Sequence, residues 1–140
     1  MAALFADSGY WIALIDSRDQ LHSRARAASA RLNDSDIVTT QMALAETLAS
    51  QAGSGDRARL AATRLVERLV ESPQVEIIPQ TDAQFQAAFE RYAARPDQRW
   101  SLTDCASFIV MEERGISEAL AYDRDFEQAG FTALLRHETF

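Results

Sequence analysis

Leu4-Phe5-Ala6-Asp7-Ser8-Gly9-Tyr10-Trp11-Ile12-Ala13-Leu14-Ile15 sets three apolar residues, one acid and a second apolar run in sequence. Three apolar residues without alternation read as a short strand buried on both faces, and residues 10–15 as an apolar helix. A buried strand passing directly into a helix is the unit of a parallel sheet, whose neighbouring strands need a helical crossover. Outward from this stretch the unit recurs. Residues 37–39 are a second strand candidate, and the β-branched run Val75, Ile77, Ile78, closed by Pro73 and Pro79, is a third. Residues 119–122 and the weaker 133–135 complete the set.

The intervening segments have helical periodicity. Over 19–32, Leu21, Ala25, Ala28 and Leu32 recur on one face while Arg24, Arg26 and Arg31 lie elsewhere. An Ala-rich helix runs through Glu46 to about residue 52, where Gly53-Ser54-Gly55 stops it, and a second helix continues to about residue 71. Thr81 with Gln84 reads as a capping box before a helix whose face is Phe85, Ala88, Phe89 and Tyr92, ended by Pro96. Ser101 opens a helix with Leu102, Ala106, Ile109 and Val110 inside and Gly115 at its stop; residues 123–129 form a short last helix. The expected fold class is α/β, a parallel sheet flanked by helices.

At 140 residues and 47% apolar content the chain reads as a single domain spanning 1–140. All fourteen basic residues are Arg, set against 21 acids for a net charge of −7. The absence of Lys excludes P-loop NTPases, Schiff-base enzymes, protein kinases and receiver domains. The acidic balance argues against a broad nucleic-acid surface, so any such role is local. The single Cys105 rules out an internal disulfide and points to a reducing, cytoplasmic compartment. Residues 1–15 lack a basic flank and are split by Asp7, so no membrane segment is expected.

Residues 1–15, 37–55 and 100–111 together make up 46 residues and hold three charges, Asp7, Glu46 and Asp104. All three are acidic, and no Arg lies inside their runs. An unpaired carboxylate in a buried apolar run costs several kcal/mol or is forced to protonate. A fourth acid, Asp123, follows the strand at 119–122, with Asp125 two residues on. In a parallel sheet Asp7 and Asp123 both leave carboxyl ends of strands, where open α/β folds place their sites. Asp104 lies 19 residues before Asp123, about one helix and a turn, so both reach one crevice. Such an oxygen-rich, negative site suits Mg²⁺ or Mn²⁺ and metal-assisted phosphodiester hydrolysis.

Plainer roles exist for each residue. Asp7 can cap the helix near Gly9, Asp104 can be the return partner of Ser101, and Asp123 can cap residues 124–129. Glu46 can be a solvent-facing residue of an Ala-rich helix, and Asp125 either joins the site or pairs with Arg124 or Arg136 at the surface. Arg95, Arg99 and Trp100, leading into the Asp104 segment, are candidate RNA contacts; the alternative is a solvated Arg face with Trp100 in the core. Cys105 reads as a core residue, and Ser8-Gly9 is not a nucleophile elbow.

The segments Phe5-Ala6-Asp7-Ser8, Ala43-Leu44-Ala45-Glu46, Ser101-Leu102-Thr103-Asp104-Cys105 and Tyr122-Asp123-Arg124-Asp125-Phe126 resemble, in order and spacing, the acidic motifs of the PIN-domain family. The resemblance implies an α/β/α sandwich with a five-stranded parallel sheet and a Mg²⁺- or Mn²⁺-dependent ribonuclease site. It implies Asp7, Glu46, Asp104 and Asp123 as catalytic metal ligands, with Asp125 a further contributor. It also implies an RNA substrate, and commonly the toxin role in a type II toxin–antitoxin pair, with an antitoxin partner and a homodimer. Ala121 departs from the Thr or Ser that the family often carries two residues before the fourth acid. Against the endoribonuclease stands a catalytically silent PIN-like module that binds a protein partner.

Overall fold

The computed structural model describes residues 3–137. Along the chain lie β1 (Leu4–Ala6), α1 (Ser8–Ile15), α2 (His22–Arg31), β2 (Ile37–Thr40), α3 (Gln41–Gln51), α4 (Asp56–Glu71) and β3 (Val75–Ile78). There follow α5 (Asp82–Ala94), α6 (Leu102–Arg114), β4 (Glu118–Leu120), α7 (Arg124–Gln128), β5 (Thr132–Ala133) and α8 (Leu134–His137). The five strands form one all-parallel sheet in the order β3-β2-β1-β4-β5.

Successive strand residues face opposite layers, as pleating requires. Phe5, Val38, Ala119 and Ala133 meet Ala88 of α5, Cys105, Ala106 and Phe108 of α6 and Phe126 of α7. Leu4, Ala6 and Leu120 meet Tyr10, Trp11 and Ala13 of α1, Ala25 and Ala28 of α2, Leu65 and Leu69 of α4, and both leucines of α8. The result is an α/β/α sandwich in which every central strand is covered on both faces. From β1 the chain moves outward to β2 and β3, and from β4 it moves the other way to β5. The carboxyl ends of β1 and β4 therefore flank the point where the connections diverge, and there the sheet opens a crevice.

Four local expectations are corrected. Residues 19–21 form a turn in which the Asp19 carboxylate accepts the Leu21 amide, so the second helix starts at His22. The last strand is Thr132–Ala133, and Leu134 and Leu135 belong to a helical turn. Both leucines enter the same layer, whereas a strand would send them to opposite faces. The Thr81 hydroxyl accepts the Gln84 amide, but the Gln84 side-chain oxygen has no partner, so the capping box is only half made. On the same helix Ala88 is buried while Phe89 and Tyr92 are 50% and 52% exposed. Helix α5 packs chiefly on α6, and a helix in that outer position buries only a narrow stripe.

Candidate active site

Asp7 stands where β1 gives way to α1. Its amide bonds to the Leu120 carbonyl of β4 at 3.3 Å, and its own carbonyl accepts the Tyr10 and Trp11 amides. Behind it, Thr39 Oγ1 donates to the Ala6 carbonyl at 2.8 Å and accepts Trp11 Nε1 at 3.1 Å, fixing the last residue of β1. Although Asp7 occupies the N-cap position, its carboxylate makes no capping bond. The residue is 8% exposed, and Oδ1 is buried without a hydrogen-bond partner. Burial pushes the carboxyl up to about 7; Asp104 and Glu46 add to this, while the Ser8 and Gly9 amides pull back.

Asp104 is held by a complete capping box. The Ser101 hydroxyl accepts the Asp104 amide at 3.0 Å, and Asp104 Oδ2 accepts the Ser101 amide at 3.0 Å. Burial pushes this carboxyl up to about 6, opposed by the Ser101 amide and reinforced by Asp125 and Glu46. The capping role and a place beside Asp7 are thus compatible, because the box occupies one oxygen. Glu46 does not face solvent freely: its Oε1 accepts the Ser8 hydroxyl at 2.7 Å. Ser8 thus touches the candidate acids, a contact the sequence did not suggest; its only signal was adjacency to Asp7.

Asp123 caps α7, its Oδ1 accepting the Asp125 amide at 3.0 Å. Asp125 is 5% exposed, so the alternative of a surface pair with Arg124 or Arg136 fails. Its carboxyl is raised by burial and by Asp123, with Arg99 opposing. The Arg99 guanidinium lies 3.7 Å from Asp125 Oδ1 and 4.0 Å from Asp123 Oδ1. The expectation of acids without a basic partner is thereby corrected for this half of the cluster. Arg99 is outside the charge-poor run, and the fold brings it back.

Trp100 is 6% exposed, edge-on to Phe108 at 5.1 Å, with the Arg95 guanidinium 5.0 Å over its ring. It therefore belongs to the core and offers no free face for a base. Arg95 pairs with Asp97 at 2.9 Å. Burial raises the Cys105 thiol above its ordinary value, which suits a core residue and not a nucleophile. His22 bonds the Ala13 carbonyl and His137 pairs with Glu127, neither among these acids.

Asp7, Glu46, Asp104, Asp123 and Asp125 thus share one electrostatic neighbourhood at the crevice. Among the described residues no three His, Cys, Asp or Glu side chains are already drawn into a ligating arrangement. The donor set is nonetheless all oxygen, and the orphaned Asp7 Oδ1 is a buried acceptor lacking a positive partner. Those two features fit a hard divalent cation.

The profile of the PIN domain family matches residues 4–132. The chain belongs to the PIN-domain family, among its VapC-type ribonucleases. This PIN domain is 33% identical over 129 residues to the 23S rRNA-specific endonuclease VapC20 of Mycobacterium tuberculosis, in strains CDC 1551 / Oshkosh and H37Rv. The match covers 91% of this chain and 95% of the relative. Among solved structures it superposes on the crystal structure of M. tuberculosis VapC20, a Sarcin-Ricin loop cleaving toxin, with a TM-score of 0.81 and 28% identity. That superposition covers 94% of this chain and 98% of the other.

Proposed function

We propose that this PIN domain, one nuclease domain over its whole length, is a Mg²⁺- or Mn²⁺-dependent endoribonuclease acting on ribosomal RNA. We further propose that it is the toxin of a type II toxin–antitoxin pair, with a cognate antitoxin protein and a homodimer as its partners. The observation that carries the reading is Asp7: a buried carboxylate with an unpartnered oxygen, crowded by Asp104 and Glu46, in a family of ribonucleases. Kinship with a 23S rRNA endonuclease supports the substrate class. Ribosomal RNA as substrate implies a cytoplasmic location; among the described residues no helix is long and apolar enough to cross a membrane.

Asp7, Glu46, Asp104 and Asp123 would hold the cation, with Asp125 beside them. When bound, the ion lowers the pKa of an attacking water and draws charge from the scissile phosphate. The remaining work belongs to the chain. Ser8 orients the Glu46 carboxylate, the α6 box presents the second oxygen of Asp104, and the Asp125 amide fixes Asp123. Arg99, exposed and close in sequence to the Asp104 segment, would steady the RNA backbone once drawn away from Asp123 and Asp125, whereas Arg95 is already paired with Asp97 and stacked over Trp100.

Incubation of the purified protein with ribosomes or 23S rRNA tests this directly. Cleavage should require Mn²⁺ or Mg²⁺, stop with EDTA, and fall at least a hundredfold in Asp7→Asn and Asp104→Asn. Cleavage that survives both substitutions would overturn the assignment. A second reading, a silent partner-binding module, draws on the fact that Asp104 and Asp123 both cap helices. It requires a melting temperature indifferent to Mn²⁺.

A further inference from the structure

The five acids divide into two halves. On one side Asp7, Glu46 and Asp104 are engaged by neutral groups alone: the Ser8 hydroxyl on Glu46, the Ser101 amide on Asp104, and no partner at Asp7 Oδ1. On the other, Asp123 Oδ1 already accepts the Asp125 amide and faces the Arg99 guanidinium, which also faces Asp125 Oδ1. Arg99 precedes Trp100, whose buried ring packs on Phe108, and stands two residues before the Ser101 cap. Its backbone is thereby held beside the acids, while its side chain, 82% exposed, reaches both Asp123 and Asp125.

We infer that Arg99 is this chain's built-in counter-cation for the Asp123–Asp125 half. One divalent ion then binds readily on the Asp7, Glu46 and Asp104 side, and a second binds only by displacing the guanidinium. The inference rests on the cation-dependent reading above. Its physical basis is charge. A guanidinium within 4.0 Å of both carboxylates offsets part of their charge. A divalent ion entering there must break the pairing and then meet the guanidinium's repulsion at a few ångströms. The unpartnered Asp7 oxygen offers the opposite situation, a desolvated acceptor whose charge nothing positive offsets.

Titration calorimetry with MnCl₂ at low ionic strength, on the full chain, decides the matter without reference to cleavage. The native protein should bind one Mn²⁺ per chain tightly and a second at least about tenfold more weakly. Arg99→Gln should tighten that second site about tenfold, and Arg99→Lys, which keeps the charge, should restore native behaviour. Adding Asp125→Asn to Arg99→Gln should remove the gained site. Identical stoichiometry and affinities in native protein and Arg99→Gln overturn the inference, as does a gained site that survives Asp125→Asn. Absence of Mn²⁺ binding in both native protein and Arg99→Gln overturns the cation-dependent reading itself, and the role of Arg99 with it.

Discussion

Asp7 is pulled two ways by its surroundings. Burial beside Asp104 and Glu46 disfavours its charge, yet the proposed chemistry uses the ionised form. In the metal-free protein the folded state keeps this proton up to about pH 7, whereas the unfolded chain releases it near 3.8. Between those values the folded state binds more protons, so the contribution to stability is full at low pH and is lost as pH rises toward 7. At about 1.4 kcal/mol per pH unit, this amounts to at most about 4 kcal/mol. In EDTA, the melting temperature of Asp7→Asn relative to native protein should therefore rise between pH 4.5 and 8, even as its cleavage of RNA falls at least a hundredfold. A flat difference across that range would refute the burial argument. Ser8→Ala removes the hydroxyl that orients Glu46, a bond to a charged group worth about 1.5–3 kcal/mol. Cleavage by that variant should drop roughly tenfold at a temperature well below its melting point, and its melting temperature should fall by a few degrees. Asp7 was legible in the sequence because it is the one charge in an apolar run, whereas Ser8 was not, since a serine there is equally at home as an ordinary first residue of a helix.

At the scale of elements, helix caps carry the site. The Ser101-Leu102-Thr103-Asp104 box was legible because capping is local chemistry. Ser101→Ala should cost about 1 kcal/mol of stability and also reduce cleavage, since Asp104 loses the hydroxyl that fixes its backbone. Gly115→Ala is the control. Gly115 ends the same helix at φ 65°, a conformation that disfavours a side chain, so the substitution should also cost about 1 kcal/mol but leave cleavage intact. Comparing chemical denaturation with cleavage rate for the two variants separates helix stability from acid placement. The last strand and the α5 face were misread for a different reason. Whether Leu134 and Leu135 share a layer, and whether Phe89 and Tyr92 have anything to pack against, depends on neighbours that local periodicity does not contain.

For the whole molecule, a net charge of −7 with five acids near one crevice means that, on the proposed reading, a bound cation adds to folded stability. Mn²⁺ at a hundred times its dissociation constant should stabilise the native state by about 2.7 kcal/mol, a rise in melting temperature that EDTA reverses and Asp7→Asn abolishes. Stability unchanged by Mn²⁺ would favour the silent module. The sequence by itself determined the parallel α/β class, since buried strands feeding helices admit few other arrangements. It also singled out Asp7, Glu46 and Asp104, since charges isolated in apolar runs stand out whatever the topology. Only the tertiary structure decided that Trp100 lies in the core, that Ser8 holds Glu46, and that Arg99 returns to Asp123 and Asp125. Local sequence records how a residue bonds to its neighbours along the chain. The partners a folded chain brings from 24 or 38 residues away are fixed by which elements pack together, α1 on α3 for Ser8 and Glu46 and α6 on α7 for Arg99 and Asp123.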